Sequence, residues 1–247
     1  MTQLFRDFLT LANLAWPVVI SRIGIMTLTV VDTVMVGRYA SEHLAYLGVG
    51  LVPHNIFILI MLGLIMGTSV LVSNRYGAGE LQKTGEIWWI ALPWALAIGL
   101  IGFVVCAFGE VLLLLWGIEP EIAAKAGYIS FIAGLTLPLA ALHMVSGMFL
   151  EGVRNPRPSM VIMLIANVVN VGANYVLVYG LYGLPELGAE GSIWATLLVR
   201  FFQMMGIFAY IWFVLDRQKF GVTPRPKFSW RAGARLRQIG YATGVSM

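Results

Sequence analysis

Charged residues are scarce in this 247-residue chain: Asp, Glu, Lys and Arg make up 11% of it, against 59% hydrophobic residues. A soluble domain carries about 25% charged residues, so the polar surface here is too small to cover a water-soluble globule. A mean hydropathy of +0.84 says the same. Cysteine is almost missing. The single Cys106 excludes an internal disulfide and leaves no cysteine-based metal cluster; within its apolar stretch it reads as a small hydrophobe. There is no Gly-rich phosphate loop after a strand, no metal-spaced His/Cys set and no nucleophile elbow. Gly77-Ala-Gly79 follows an apolar helix and reads as a turn. Enzymatic chemistry therefore has no visible home. Nor does the N-terminus show a signal-peptide cleavage pattern, so the first apolar segment is expected to stay as a membrane span.

Long hydrophobic runs, by contrast, are abundant, along with 27 Gly and 12 Met. Glycine is commoner in membrane helices than in soluble ones and permits close helix contact. A membrane helix needs about 20 mostly apolar residues. Six segments qualify: Leu11–Val36, Leu51–Val72, Ile87–Phe108, Ile129–Phe149, Met160–Tyr179 and Ile193–Leu215. The expected fold is an all-α polytopic membrane protein, a six-helix bundle over residues 1–215. Val111–Trp116 is apolar but too short to span, and reads as a continuation of the third helix or an interfacial cap. Residues 216–238 read as a basic cytoplasmic linker, and 239–247 as the cut-off start of a seventh helix.

The basic residues orient the bundle. With the N-terminus in the cytoplasm, twelve Lys/Arg fall in inner segments, seven of them between Arg217 and Arg237. Only Arg38 and Lys125 fall outside, while Arg22 and Arg200 lie within spans. Glu42, Glu110, Glu119, Glu121, Glu186 and Glu190 all fall outside. The pI near 9.3 thus reflects contact with anionic inner-leaflet lipid, and nucleic acid is not an expected partner.

Ionisable and amide side chains at membrane depth usually face a protein interior or an aqueous cavity. Asp32, in the outer half of span 1, is either an ion-binding or proton-binding carboxylate or a solvated interfacial one. Asn167, Asn170 and Asn174 recur at i, i+3 and i+7, which puts three amides on one face of span 5. They serve either as interhelical glue or, beside a carboxylate, as oxygen ligands for a hard cation such as Na⁺. Ser192, Thr196, Arg200 and Gln203 line one face of span 6; Arg200 is set to line a cavity or to pair with carbonyls or an acid. Arg22 is expected to snorkel toward the inner surface. His143 on span 4 is a packing residue or a proton carrier.

Five segments in order resemble the multidrug and toxin extrusion (MATE) family. They are Trp16-Pro17 with Val31-Asp-Thr-Val-Met-Val-Gly37, the turn Arg75-Tyr-Gly-Ala-Gly-Glu80, Glu151-Gly-Val-Arg-Asn-Pro-Arg-Pro-Ser-Met160, Asn167-Val-Val-Asn170-Val-Gly-Ala-Asn174-Tyr through Gly180, and Gly188-Ala-Glu-Gly-Ser-Ile-Trp-Ala-Thr196. The resemblance implies a fold of two six-helix lobes about a substrate cleft, of which this chain would be the N-lobe lacking its C-lobe partner. It implies export of drugs or organic cations from the bacterial inner membrane in exchange for Na⁺ or H⁺, with no other cofactor. It assigns Asp32, Asn170, Asn174 and Thr196 to ion coupling, with Na⁺ at Asp32, Asn170 and Asn174 if a metal ion is used. Asn167, Arg200, His143 and Gln203 are then cavity-lining candidates. Asn174 stands where one branch has a second aspartate, which makes the chain look NorM-like. A lipid-linked sugar flippase of the same superfamily and a non-transporting bundle are the competing expectations.

Overall fold

The computed structural model describes residues 3–224, together with Ala234 and Gln238. Every regular element among the described residues is helical: α1 (Gln3–Tyr39), α2 (Ser41–Gly77), α3 (Gln82–Ala107), α4 (Gly109–Leu115), α5 (Pro120–Gly152), α6 (Arg157–Val178) and α7 (Ala189–Phe213), with a 3-10 turn at Leu181–Gly183. All but α4 are long and apolar enough to cross a membrane. The protein is a multi-pass membrane protein, with six spanning helices among the described residues. The seventh-helix start expected at 239–247 lies outside the described residues, as does most of the 216–238 linker.

The helices run past the apolar segments that announce them. The hydrocarbon core selects about 20 residues, whereas backbone hydrogen bonding continues through the headgroup region. The expected outer loop between spans 1 and 2 is a case in point. Only Ala40 leaves the helical conformation there (φ −161, ψ 138), and α2 begins at Ser41 with Glu42 in its first turn, where a carboxylate complements the helix dipole. Likewise α4 is a separate helix after a break at Phe108, not an extension of α3. Leu113 is buried while Leu115 and Trp116 are exposed, so the continuation alternative is not the one realised.

α5 is the central helix, with 67% of its apolar window buried against 17–39% for the other spans. It packs on α2, α3, α4 and α7, while α6 packs on α1 and α7. Small residues permit the closest approaches. A Cβ on Gly99 of α3 would lie 2.7 Å from Pro138 Cα on α5, and one on Gly50 of α2 would lie 2.6 Å from Ala126 O. The main core gathers around Trp88, whose Nε1 donates to Ser146 Oγ at 3.1 Å and whose ring packs on Phe149 and Phe208. The outer face of α1 presents Val19, Ile23, Met26, Val30 and Val34, an apolar stripe at helical spacing that water would not tolerate.

The two ends of the bundle differ. At one end, the α2–α3 turn carries Glu80, whose carboxyl Lys83 and Arg75 hold below the usual carboxylate range. The described residues just after α7 dock at this end. Gly85 N donates to Phe220 O at 2.7 Å, Trp89 Nε1 donates to Val222 O at 2.9 Å, and Val222 is fully buried. Those backbone carbonyls would otherwise lack partners against an apolar helix. At the opposite end, Ala189 N donates to His43 Nδ1 at 3.2 Å and Tyr39 Oη donates to Glu186 Oε2 at 3.3 Å.

Candidate functional site

Asp32 lies in the last two turns of α1, facing α6 and α7. Its Oδ1 accepts from Asn170 Nδ2 at 3.1 Å and from Asn174 Nδ2 at 2.8 Å, and its Oδ2 accepts from Thr196 Oγ1 at 3.0 Å. Asn174 also donates to Asn170 O at 3.0 Å. The spacing explains the convergence: Asn170 and Asn174 are one turn apart on α6, and Thr196 faces them from the first half of α7. Both asparagines are essentially fully buried.

Among the described residues the carboxylate thus receives three neutral donors and no direct ion pair. The remaining side-chain oxygens are informative as well. Asn170 Oδ1 and Asn174 Oδ1 are buried and lack a hydrogen-bond partner. A carboxylate with two unpartnered amide oxygens nearby is an oxygen donor set suited to a hard cation. The same carboxylate is equally able to take a proton. Among the described residues no group of three or more His, Cys, Asp and Glu forms a softer metal site.

The remaining candidates divide. Arg200, one turn beyond Thr196 on α7, donates from Nη1 to Gln203 Oε1 at 3.0 Å. Arg200 and His143 line a cavity below the Asp32 cluster, but Asn167 and Gln203 do not. Asn167 donates to Gly24 O at 3.2 Å and to Met163 O at 2.9 Å, joining α6 to α1, and Gln203 Nε2 contacts Met163 Sδ at 3.3 Å. Both are packing groups in this geometry.

Three further residues were not singled out by sequence reasoning as site residues. Buried His54 on α2 places Nε2 3.0 Å from Thr136 Oγ1; its position inside an apolar span was the available signal. Arg22 does not simply snorkel away, since its Nη2 lies 4.0 Å from Glu151 Oε1 at the end of α5 and both side chains line the cavity.

The MatE family model matches residues 17–176, which include Asp32, Asn170 and Asn174. The chain belongs to the MatE family. It is 33% identical over 244 residues to the probable multidrug resistance protein NorM of Caulobacter vibrioides, covering 97% of this chain and 51% of that relative. It is 34% identical over 207 residues to the multidrug resistance protein PmpM of Pseudomonas aeruginosa, covering 81% and 42%. The chain spans about half the length of the curated relatives it matches. Among solved structures it is similar to the eukaryotic MATE transporter AtDTX14, with a TM-score of 0.86, 16% identity, and 97% and 53% of the two chains covered. It is also similar to a MATE structure in the bent conformation, with a TM-score of 0.85, 20% identity, and 96% and 52% covered. At these identities the structural likeness shows the fold. The six-helix MATE lobe expected from the sequence motifs is the fold observed.

Proposed function

We propose that this MatE chain is the ion-coupling lobe of a secondary multidrug exporter, working with a second six-helix lobe to move organic, often cationic, compounds out in exchange for Na⁺ or H⁺. The observation that carries the reading is the Asp32 carboxylate, held by Asn170, Asn174 and Thr196 inside an otherwise apolar bundle. The names of the relatives support multidrug substrates over a lipid-linked sugar or an idle bundle. Their length, about twice that matched here, supports a second lobe. The excess of basic residues at the end that carries the α2–α3 turn, the α5–α6 turn and the post-α7 segment supports placing that end in the cytoplasm of a bacterial inner membrane.

The chemistry follows from opposing terms of similar size. Burying a carboxylate costs several kcal/mol, and each hydrogen bond to a charged group returns about 1.5–3 kcal/mol. Three such bonds roughly offset the burial, which leaves Asp32 able to exist with and without its counter-ion. Loading Asp32 with a proton removes the charge, and loading it with Na⁺ recruits the unpartnered oxygens of Asn170 and Asn174. Either event changes what holds α1 against α6 and α7. An ion that binds one arrangement better than the other shifts the equilibrium by that difference in affinity. Coupling to drug export is then reciprocal: drug binding must weaken ion binding by the same factor.

The test is export by the intact protein in proteoliposomes with ethidium as the probe and imposed H⁺ or Na⁺ gradients. Gradient-dependent ethidium flux is expected. Flux indifferent to both gradients would contradict the proposal.

A further inference from the structure

A cavity of about 80 Å³ lies between α1, α2, α5, α6 and α7, on the side of Asp32 toward the α5–α6 turn. A drug-sized ligand needs roughly 300–1,000 Å³, so the cavity is not a drug site, but it has room for several water molecules. Its polar wall is formed by Ser21, Arg22, His143, Glu151, Ser159 and Arg200. Two of these groups lack a partner among the described residues: His143 Nε2 and Ser159 Oγ are buried and make no hydrogen bond there. Their residues are only 8% and 7% exposed. Unsatisfied buried polar atoms on a cavity wall are what ordered water pairs with.

The cavity has a direction. At its inner end the Arg22–Glu151 pair sits where α5 terminates, beside the basic Arg154–Arg157 turn. At its other end Arg200 lines the cavity one turn along α7 from Thr196, whose hydroxyl donates to Asp32 Oδ2 at 3.0 Å. Arg22 is ten residues before Asp32 on α1, about 15 Å along the helix. The polar wall therefore runs from the end of the bundle to Arg200, one helical turn from the Thr196 that holds Asp32. Arg22, His143 and Arg200 share its lining. A metal cation entering this space would meet two guanidinium groups, whereas a proton can pass along hydrogen-bonded water without a positive ion having to squeeze past them.

We propose that this chamber is a hydrated proton-release route from Asp32 to the cytoplasmic side, running inside the lobe and closed to metal cations by Arg200. It rests on the reading of Asp32 as the coupling carboxylate. In the release step the O–H bond of protonated Asp32 breaks, leaving the carboxylate with its electron pair. A chamber water accepts the proton, and one proton leaves to bulk water past Glu151. Arg200 keeps its own protons throughout.

Hydration can be read directly. Met144, Met148 and Met163 line the chamber, while Met61 is buried in the core away from it. In X-ray radiolytic labelling of the intact protein, hydroxyl radicals from bound water should oxidise the three lining methionines, with Met61 at background. Labelling of all four at background would overturn the proposal. A plug tests the route. A Cβ on Gly147 meets nothing closer than Ser159 Oγ at 3.7 Å, so Gly147→Ala should behave as wild type. Gly147→Leu should fill the chamber, lower the labelling and slow H⁺-driven ethidium export by roughly tenfold or more, with ethidium affinity unchanged. A dry Gly147→Leu chamber with wild-type export would overturn the proposal, as would export driven by a Na⁺ gradient at constant pH. If Gly147→Leu fails to assemble, the wild-type labelling alone decides. Labelling needs no transport, so a wet chamber with gradient-independent export would indict the Asp32 reading instead.

Discussion

Asn174 Nδ2 donates to Asp32 Oδ1 at 2.8 Å and to Asn170 O at 3.0 Å, so one buried amide ties α1 to α6 and braces its own helix. Removing it in Asn174→Ala leaves the carboxylate one donor short and takes away one unpartnered oxygen. A hydrogen bond to a charged group contributes about 1.5–3 kcal/mol. The empty carboxylate is destabilised, so the H⁺ concentration for half-maximal ethidium export should fall by roughly 10- to 100-fold, whereas a half-maximal Na⁺ concentration would rise because a ligand oxygen is lost. Membrane insertion and expression should hold. Lost insertion with no assembled protein would mark the residue as packing only.

Thr196 is the sole donor to Asp32 Oδ2 among the described residues, at 3.0 Å from α7. Thr196→Val keeps the shape and deletes the hydroxyl; Thr196→Ser keeps the hydroxyl. Deleting a donor to the charged carboxylate destabilises its empty form, so the H⁺ concentration for half-maximal export should fall about tenfold in the valine variant, in line with about 1.5 kcal/mol, and return toward wild type in the serine variant. Equal effects in both would point to packing.

Close helix contact should be measurable at Gly99. Its added Cβ would sit 2.7 Å from Pro138 Cα and 2.9 Å from Leu137 O, whereas Gly172 on α6 has nothing within 4 Å. Overpacking costs about 1–3 kcal/mol, while Gly→Ala at an open helical position gains up to about 1 kcal/mol. Thermal stability of the detergent-solubilised protein should fall in Gly99→Ala and hold or rise in Gly172→Ala.

The segment after α7 offers a test of sidedness as well as docking. Trp89 Nε1 donates to Val222 O at 2.9 Å. Trp89→Phe should loosen this segment and accelerate tryptic cleavage at Arg217 and Lys219. Cleavage should occur only when trypsin has access to the cytoplasmic face; cleavage confined to the opposite face would invert the proposed orientation.

The spans were legible because apolar run length is a property of single segments. What the pattern hid were the joints. Ala40 alone separates α1 from α2, and no glycine or proline marks it. The docking of Phe220 and Val222 depends on backbone carbonyls meeting α3, which composition does not encode. Face arithmetic on one helix has a similar limit. Asn167, Asn170 and Asn174 do share a face, but the stripe is about 10 Å long and Asp32 is a single point. The two upper amides reach the carboxylate and Asn167 bonds to Gly24 O instead. The chamber draws residues from five helices, so its Arg22–Glu151 pair and Arg200–His143 wall become visible only when the bundle is assembled. His54 was legible in principle, as an ionisable group inside an apolar span.

The account turns on whether Asp32 carries the exchangeable charge. Asp32→Asn keeps the size of the side chain and removes its charge and titration, so it isolates that question. The decisive measurement is ion-gradient-driven ethidium export by intact wild-type and Asp32→Asn protein at matched amounts in proteoliposomes, alongside ethidium binding. Export in the variant should fall to the level of protein-free liposomes while ethidium still binds. Gradient-driven export at the wild-type rate in Asp32→Asn would contradict the account.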